Sequence, residues 1–263
     1  MIIPPTSFVT LGQFLHNITL DHDLGLGWVF RGQSDCSKPL LPKAGREEYY
    51  CRATSYWKNR RQSSSDLGRF KELRDQAVAI SNELPGNDFE CLAYAQHYGL
   101  ATRLLDWTDN PLVALFFSAE QAHDIDGAVF FYLPSIYVDA QTAALDSFDV
   151  VALYRPRPFD RRIAAQGGVF TYHPNPLAPL EPTEIPQNQR VWIDDLEREV
   201  PQGMNLRAVR VEAKLKPLLL RELAKVGISR RTLFPDLEGL SSHINWETNG
   251  IADRQRRPDD TGK

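Results

Sequence analysis

The sequence predicts an α+β protein with a central mixed or antiparallel sheet flanked by helices, and three observations lead there. Apolar, strand-like runs such as Gly127–Leu133, Gly168–Tyr172 and Leu206–Val211 are interleaved irregularly with amphipathic segments of helical length. No succession of strand–helix–strand units appears, which disfavours a doubly wound parallel sheet. Strong punctuation at Pro85-Gly86, Gly99 and Asn110-Pro111 bounds the helical segments.

Taken in order, Phe8–Asn17 reads as a short helix with Phe8, Leu11 and Leu15 on one face. Trp28–Arg31 is a strand between Gly27 and Gly32, and residues 35–65 are polar, irregular and basic. Leu67, Phe70, Leu73, Ala77 and Ile80 fall near one helical stripe. Asn87 or Asp88 caps a second helix that Gly99 stops. Thr102–Leu105 is a brief strand and Asp106–Asp109 a turn. Asn110 and Pro111 then supply the cap and the first-turn proline of a helix over Leu112–Gln121. Gly127–Leu133 is continuous and apolar, as a central strand requires. Further strands fall at Val150–Tyr154, Gly168–Tyr172 and Leu206–Val211, and further helices at Pro217–Val226 and after Pro235. Residues 174–201 carry six prolines and read as a long excursion. A single domain over 1–250 with a disordered tail over 251–263 follows.

Composition sets the outer limits. The chain has 263 residues, 42% hydrophobic and 24% charged, so a core of ordinary size forms without disulfide or metal support. The longest apolar runs fall far short of a membrane span. Cys36, Cys51 and Cys91 are odd in number and widely spaced, which fits a reducing, cytoplasmic setting and no zinc site. The net charge of −4 argues against a protein that coats nucleic acid over its whole surface. Local basic clusters (Lys58, Arg60 and Arg61; Arg155, Arg157, Arg161 and Arg162; Arg230 and Arg231) are either solvated faces or contacts for a phosphate-bearing partner.

Three stretches concentrate polar chemistry. In Phe30-Arg31-Gly32 an arginine ends a strand and a glycine follows. The guanidinium can grip phosphate or carboxylate through two parallel hydrogen bonds, and the glycine, lacking a Cβ, lets a ligand approach the backbone. The plainer reading pairs Arg31 with a structural carboxylate such as Asp106. Gln96, His97, Thr102, Arg103, Asp106 and Thr108 crowd an otherwise apolar run, and buried polar groups must find partners or a ligand. Here too His97 could be a satisfied helix-end histidine, and Arg103 with Asp106 an ion pair. Gln166 precedes Gly167-Gly168 at the mouth of a strand, as a ligand-facing turn or an ordinary bulge. The chain lacks GxGxxG, a phosphate-loop GKS or GKT, GxSxG and HExxH, so Rossmann, kinase and the common hydrolase readings have no motif.

These stretches, in this order, resemble the bacterial FRG-domain family: Phe30-Arg31-Gly32, then QHYGLATRLLDWTDNPLVALFFSA from Gln96 to Ala119, AQGGVF at Ala165–Phe170 and LFPDLEGL at Leu233–Leu240. The element order is also similar, at the level of folds, to ADP-ribosyltransferases. That analogy implies an NAD-consuming enzyme without a metal. Arg31 would hold a phosphate or ribose, and the Gly32 backbone the nicotinamide amide. Residues 102–108 would lie under the nicotinamide-side ribose, and Gln166 would stand in the last motif. Glu238 or Asp236 would supply the carboxylate that a glutamine cannot. The implied role is a toxin or phage-defence effector acting on a protein or nucleic-acid acceptor, with a possible neutralising partner. The competing readings are a non-catalytic nucleotide or nucleic-acid binding module, and a nuclease using His97 and Asp106.

Overall fold

The computed structural model describes residues 10–20, 27–49, 65–80, 84–183 and 205–255. Six strands form one antiparallel sheet: β1 (Val29–Gln33), β2 (Leu104–Thr108), β3 (Gly127–Tyr132), β4 (Ala152–Tyr154), β5 (Gly168–Tyr172) and β6 (Leu206–Val211), in the order β4-β5-β2-β1-β3-β6. The helices are α1 (Leu11–Leu20), α2 (Asp66–Ala77), α3 (Asp88–His97), α4 (Pro111–Ala119), α5 (Arg161–Gln166), α6 (Lys216–Lys225), α7 (Arg230–Leu233) and α8 (Leu237–Gln255).

Strand alternation sends successive side chains to opposite faces and sorts the core into three clusters. On one face, Phe30, Val129, Phe131 and Val211 of the β1-β3-β6 half pack against α4 and α6. On that same side of the β2-β5-β4 half, Leu104, Phe170, Tyr172 and Tyr154 meet Phe70 of α2 and Phe89 of α3. The opposite face carries Val29, Leu105, Trp107, Phe130 and Val169. It is covered by loops through Leu40 and Leu180, which a backbone hydrogen bond ties together at 2.9 Å.

The join between the two halves is slight. β1 and β2 pair only at Phe30↔Thr108, whereas β1 pairs with β3 at five positions and β2 with β5 at five. The strands then part, leaving a gap beside the second half of β1.

Local signals place most elements where the sequence puts them. Asn87 and Asn110 cap α3 and α4 by accepting from Glu90 N and Leu112 N, and Gly99 adopts φ of 96° just past α3. Three expectations are corrected. The strand expected at Thr102–Leu105 runs instead through Thr108, because Asp106–Thr108 ladder with Gly168–Phe170 rather than turning. The expected turn before Gly168 is helix α5, capped by Asp160 and ended by left-handed Gly167. Helix α8 reaches Gln255, so the first five residues of the expected tail are helical. Phe8, the basic group Lys58, Arg60 and Arg61, most of the proline-rich excursion and residues 256–263 lie outside the described residues. Among the described residues, no helix is long and apolar enough to cross a membrane.

Candidate functional site

A cavity of about 770 Å³ opens at the gap between β1 and β2. Its walls come from far-separated segments: Arg31 and Gln33 of β1, the following loop with Lys38 and Arg46, Asp106 and Thr108 of β2, Glu120 and Gln121 after α4, Gln166 of α5, and Phe234 after α7. Such a volume lies in the range of small-molecule sites.

Arg31 is the most informative wall residue. Its side chain is 15% exposed. Nη1 donates to the Asp106 carbonyl at 2.7 Å across the gap, with the Asp106 carboxylate at 3.9 Å. Nε is buried without a hydrogen bond, and Nη2 makes none among the described residues. The one carboxylate nearby is a weak partner, because its own side chain is 67% exposed. Burial pulls the guanidinium below its ordinary range, against the pull of Asp106, and Arg46 lowers it further. Arg31 and Arg46 are two like charges at the edge of a cavity that Asp35, Glu47, Glu48, Asp106 and Glu120 also line. Each unsatisfied buried donor costs about 1–3 kcal/mol.

Gly32 has a different reason from the expected one. A Cβ on it would stand 1.8 Å from the Ala114 carbonyl oxygen and 2.6 Å from Ser118 N, so the missing side chain faces the backbone of α4, not a ligand. The glycine lets α4 lie directly on β1; its backbone still borders the cavity.

The central polar run divides. Thr102, fully buried, donates to Gln96 Oε1, and Gln96 Nε2 donates to Asp106 Oδ1 at 2.8 Å. These side chains therefore form a chain that ends on the residue Arg31 touches. Thr102 is 0% exposed, whereas the Asp106 side chain is 67% exposed. Arg103 leaves this chain altogether. It holds Asp66 through two bonds of 2.6 and 2.9 Å and reaches Tyr172 Oη and the Pro174 carbonyl, each at 3.1 Å. His97 faces Asp160 at 3.6 Å and packs on Tyr98 and Phe159, away from the cavity lining. Arg103 therefore pairs with Asp66 rather than with Asp106, and neither Arg103 nor His97 lines the cavity. Their partners come from α2 and from the turn before α5, which no local pattern announces.

Gln166 borders the cavity 135 residues beyond Arg31. Its Nε2 donates to the Leu233 carbonyl at 3.1 Å, and its own carbonyl accepts from Thr108 Oγ1 at 2.5 Å. The two carboxylates expected to serve the cleft do not line it. Asp236 is engaged by Arg162 at 2.6 and 2.8 Å and caps Gly239 N, and Glu238 is 74% exposed. The carboxylates that do line it are Asp35, Glu47, Glu48, Asp106 and Glu120, of which Glu120 has the least exposed side chain. Only 11% exposed and paired with Arg230, it has a carboxyl raised above the usual range by burial, against the opposing pull of Arg230. A glutamate closing an otherwise apolar helix was the one sequence signal for it; Arg46 gave none, since only the folding back of the loop brings it near Arg31.

The arginine cluster at 155–162 is largely neutralised: Arg155, Arg157 and Arg162 face Asp109, Glu90 and Asp236. Among the described residues, no three His, Cys, Asp or Glu side chains converge as a metal site.

Residues 27–127 match the family model described as FRG domain, spanning β1 to the first residue of β3. No curated protein and no solved structure matches the chain.

Proposed function

We propose that the cleft of this chain, whose residues 27–127 match the FRG-domain model, binds NAD and transfers the ADP-ribosyl group to an acceptor. The observation that carries the reading is the half-satisfied Arg31 guanidinium in a cavity also bordered by Thr108 and Gln166. A diphosphate between Arg31, Arg46 and Lys38 would give the orphaned donors partners and offset their mutual repulsion. Gln166 is held by the Leu233 carbonyl, so its Oε1 is available to orient an amide or a ribose hydroxyl.

In this reaction the bond between ribose C1′ and the nicotinamide nitrogen breaks. Nicotinamide leaves neutral with the bonding electron pair, and the oxocarbenium-like ribosyl centre is captured by an acceptor nucleophile that gives up a proton. A buried carboxylate near the ribose lowers the barrier by stabilising positive charge that exists only in the transition state. Glu120 is the cavity carboxylate best shielded from water. Uncontrolled turnover would consume NAD or alter the acceptor, a protein or nucleic acid, which fits a toxin or defence effector held in check by a neutralising partner.

The experiment is incubation of the purified chain with NAD, reading released nicotinamide and labelled acceptor in lysate. Wild type should release nicotinamide, and Arg31→Ala should not, with an unchanged Tm. Arg31→Lys should recover little, since an ammonium lacks the planar fork. Absence of nicotinamide release and of NAD binding by calorimetry would overturn the reading.

A further inference from the structure

A second cavity of about 360 Å³ lies behind the first, between α4, α6, α7 and α8. It shares the Glu120–Arg230 ion pair with its surroundings, and Glu120 borders both cavities. Its apolar lining is Phe116, Leu220, Ala224 and the indole of Trp246, which stacks on His243 at 5.7 Å and 21°.

Arg230, Glu120 and His123 are among the polar groups of the lining. Arg230 spends Nη1 on Glu120 and lays its guanidinium over Phe234 at 4.9 Å. Its Nε has no partner, and Nη2 makes no hydrogen bond among the described residues. His123 stands beside it, bonded to the Glu120 carbonyl at 3.2 Å. Glu120 is the one carboxylate in this lining and is paired with Arg230; Ser229, Ser242 and His243 complete the polar lining. The Phe116 and Trp246 rings in the lining suit a planar ring, and Arg230 and His123 can meet an acceptor on it, as small-molecule sites generally combine an apolar body with a few fixed polar groups.

We propose that this cavity binds a flat aromatic carboxylic acid of one or two rings, its ring against Trp246 and its carboxylate on Arg230. The site does not depend on the chemistry proposed for the cleft. Because Arg230 also holds Glu120, a bound carboxylate competes with Glu120 for the same guanidinium, and the cleft carboxylate is released in proportion.

The probe is 2-naphthoate, titrated into the full chain by calorimetry, with naphthalene-2-carboxamide as its uncharged isostere. One saturable site is expected, with the carboxamide at least fivefold weaker. Ala224→Phe, which fills the cavity, should weaken 2-naphthoate at least tenfold, whereas Arg31→Ala should leave it unchanged. If Ala224→Phe does not fold, Trp246→Ala serves the same purpose, with the same tenfold loss expected. Absence of saturable binding, equal affinity for the carboxamide, or binding indifferent to the folded cavity variant would overturn the proposal.

Discussion

Gly32 lies against Ala114 so closely that a methyl group on the glycine would stand 1.8 Å from the alanine's carbonyl oxygen. The obstacle is helix backbone, which cannot rotate away as a side chain could. Gly32→Ala should therefore push α4 off β1 and destabilise the chain by roughly 1–3 kcal/mol or more, the usual cost of overpacking. Urea denaturation checks this. A variant with wild-type stability but lost ligand binding would return Gly32 to a ligand-facing role.

The carboxylate assignment separates two glutamates. Glu120→Gln should lower nicotinamide release by about a hundred- to ten-thousandfold while NAD affinity changes little, the pattern of an interaction made mainly in the transition state. Glu238→Gln, at a 74% exposed side chain outside the cavity, should stay within about twofold of wild type. The reverse ranking would remove Glu120 from the chemistry.

Lys216 acts as an internal cation. Fully buried, its Nζ donates to the carbonyls of Ser34, Gln121 and Ala122 at 2.7, 3.1 and 2.8 Å, tying the end of β1 to the end of α4. Burial lowers its proton affinity, against the opposing pull of Asp126 and other carboxylates. Lys216→Met keeps the apolar stem and strands three carbonyls, so a loss of at least about 3 kcal/mol is expected. Lys216→Ala should regain Tm with added propylammonium and not with tetramethylammonium. Equal response to both ions would deny the carbonyl clamp.

His173 sets an acid limit. It is 1% exposed, and burial, reinforced by Arg31, pushes its imidazole down to about 4. In the unfolded chain the group titrates near its ordinary value of about 6.5. Between those values the unfolded chain binds the extra proton, so stability is complete above about 6.5 and falls as pH drops toward 4. The loss reaches roughly 3 kcal/mol. His173→Gln should flatten that slope in a series of melts from pH 7 to 4, and an unchanged slope would show that other groups set it.

What the sequence determined by itself is local. Asn87, Asn110 and Pro111 announce helix starts through their own backbone chemistry, Gly99 a helix end, and Gly168–Tyr172 and Leu206–Val211 their strands, because caps and alternation act within a few residues. Arg31 and Gln166 stood out because polar groups beside glycines at strand ends are conspicuous. Only the tertiary structure decided who meets whom. The parting of β1 from β2 opens the cavity; α2 supplies Asp66 to Arg103; Arg162 takes Asp236 away; Glu120 comes to the wall. Those outcomes depend on side chains tens to more than a hundred residues apart competing for the same partners. Such competition is settled by which elements pack together, and no spacing along the chain encodes it.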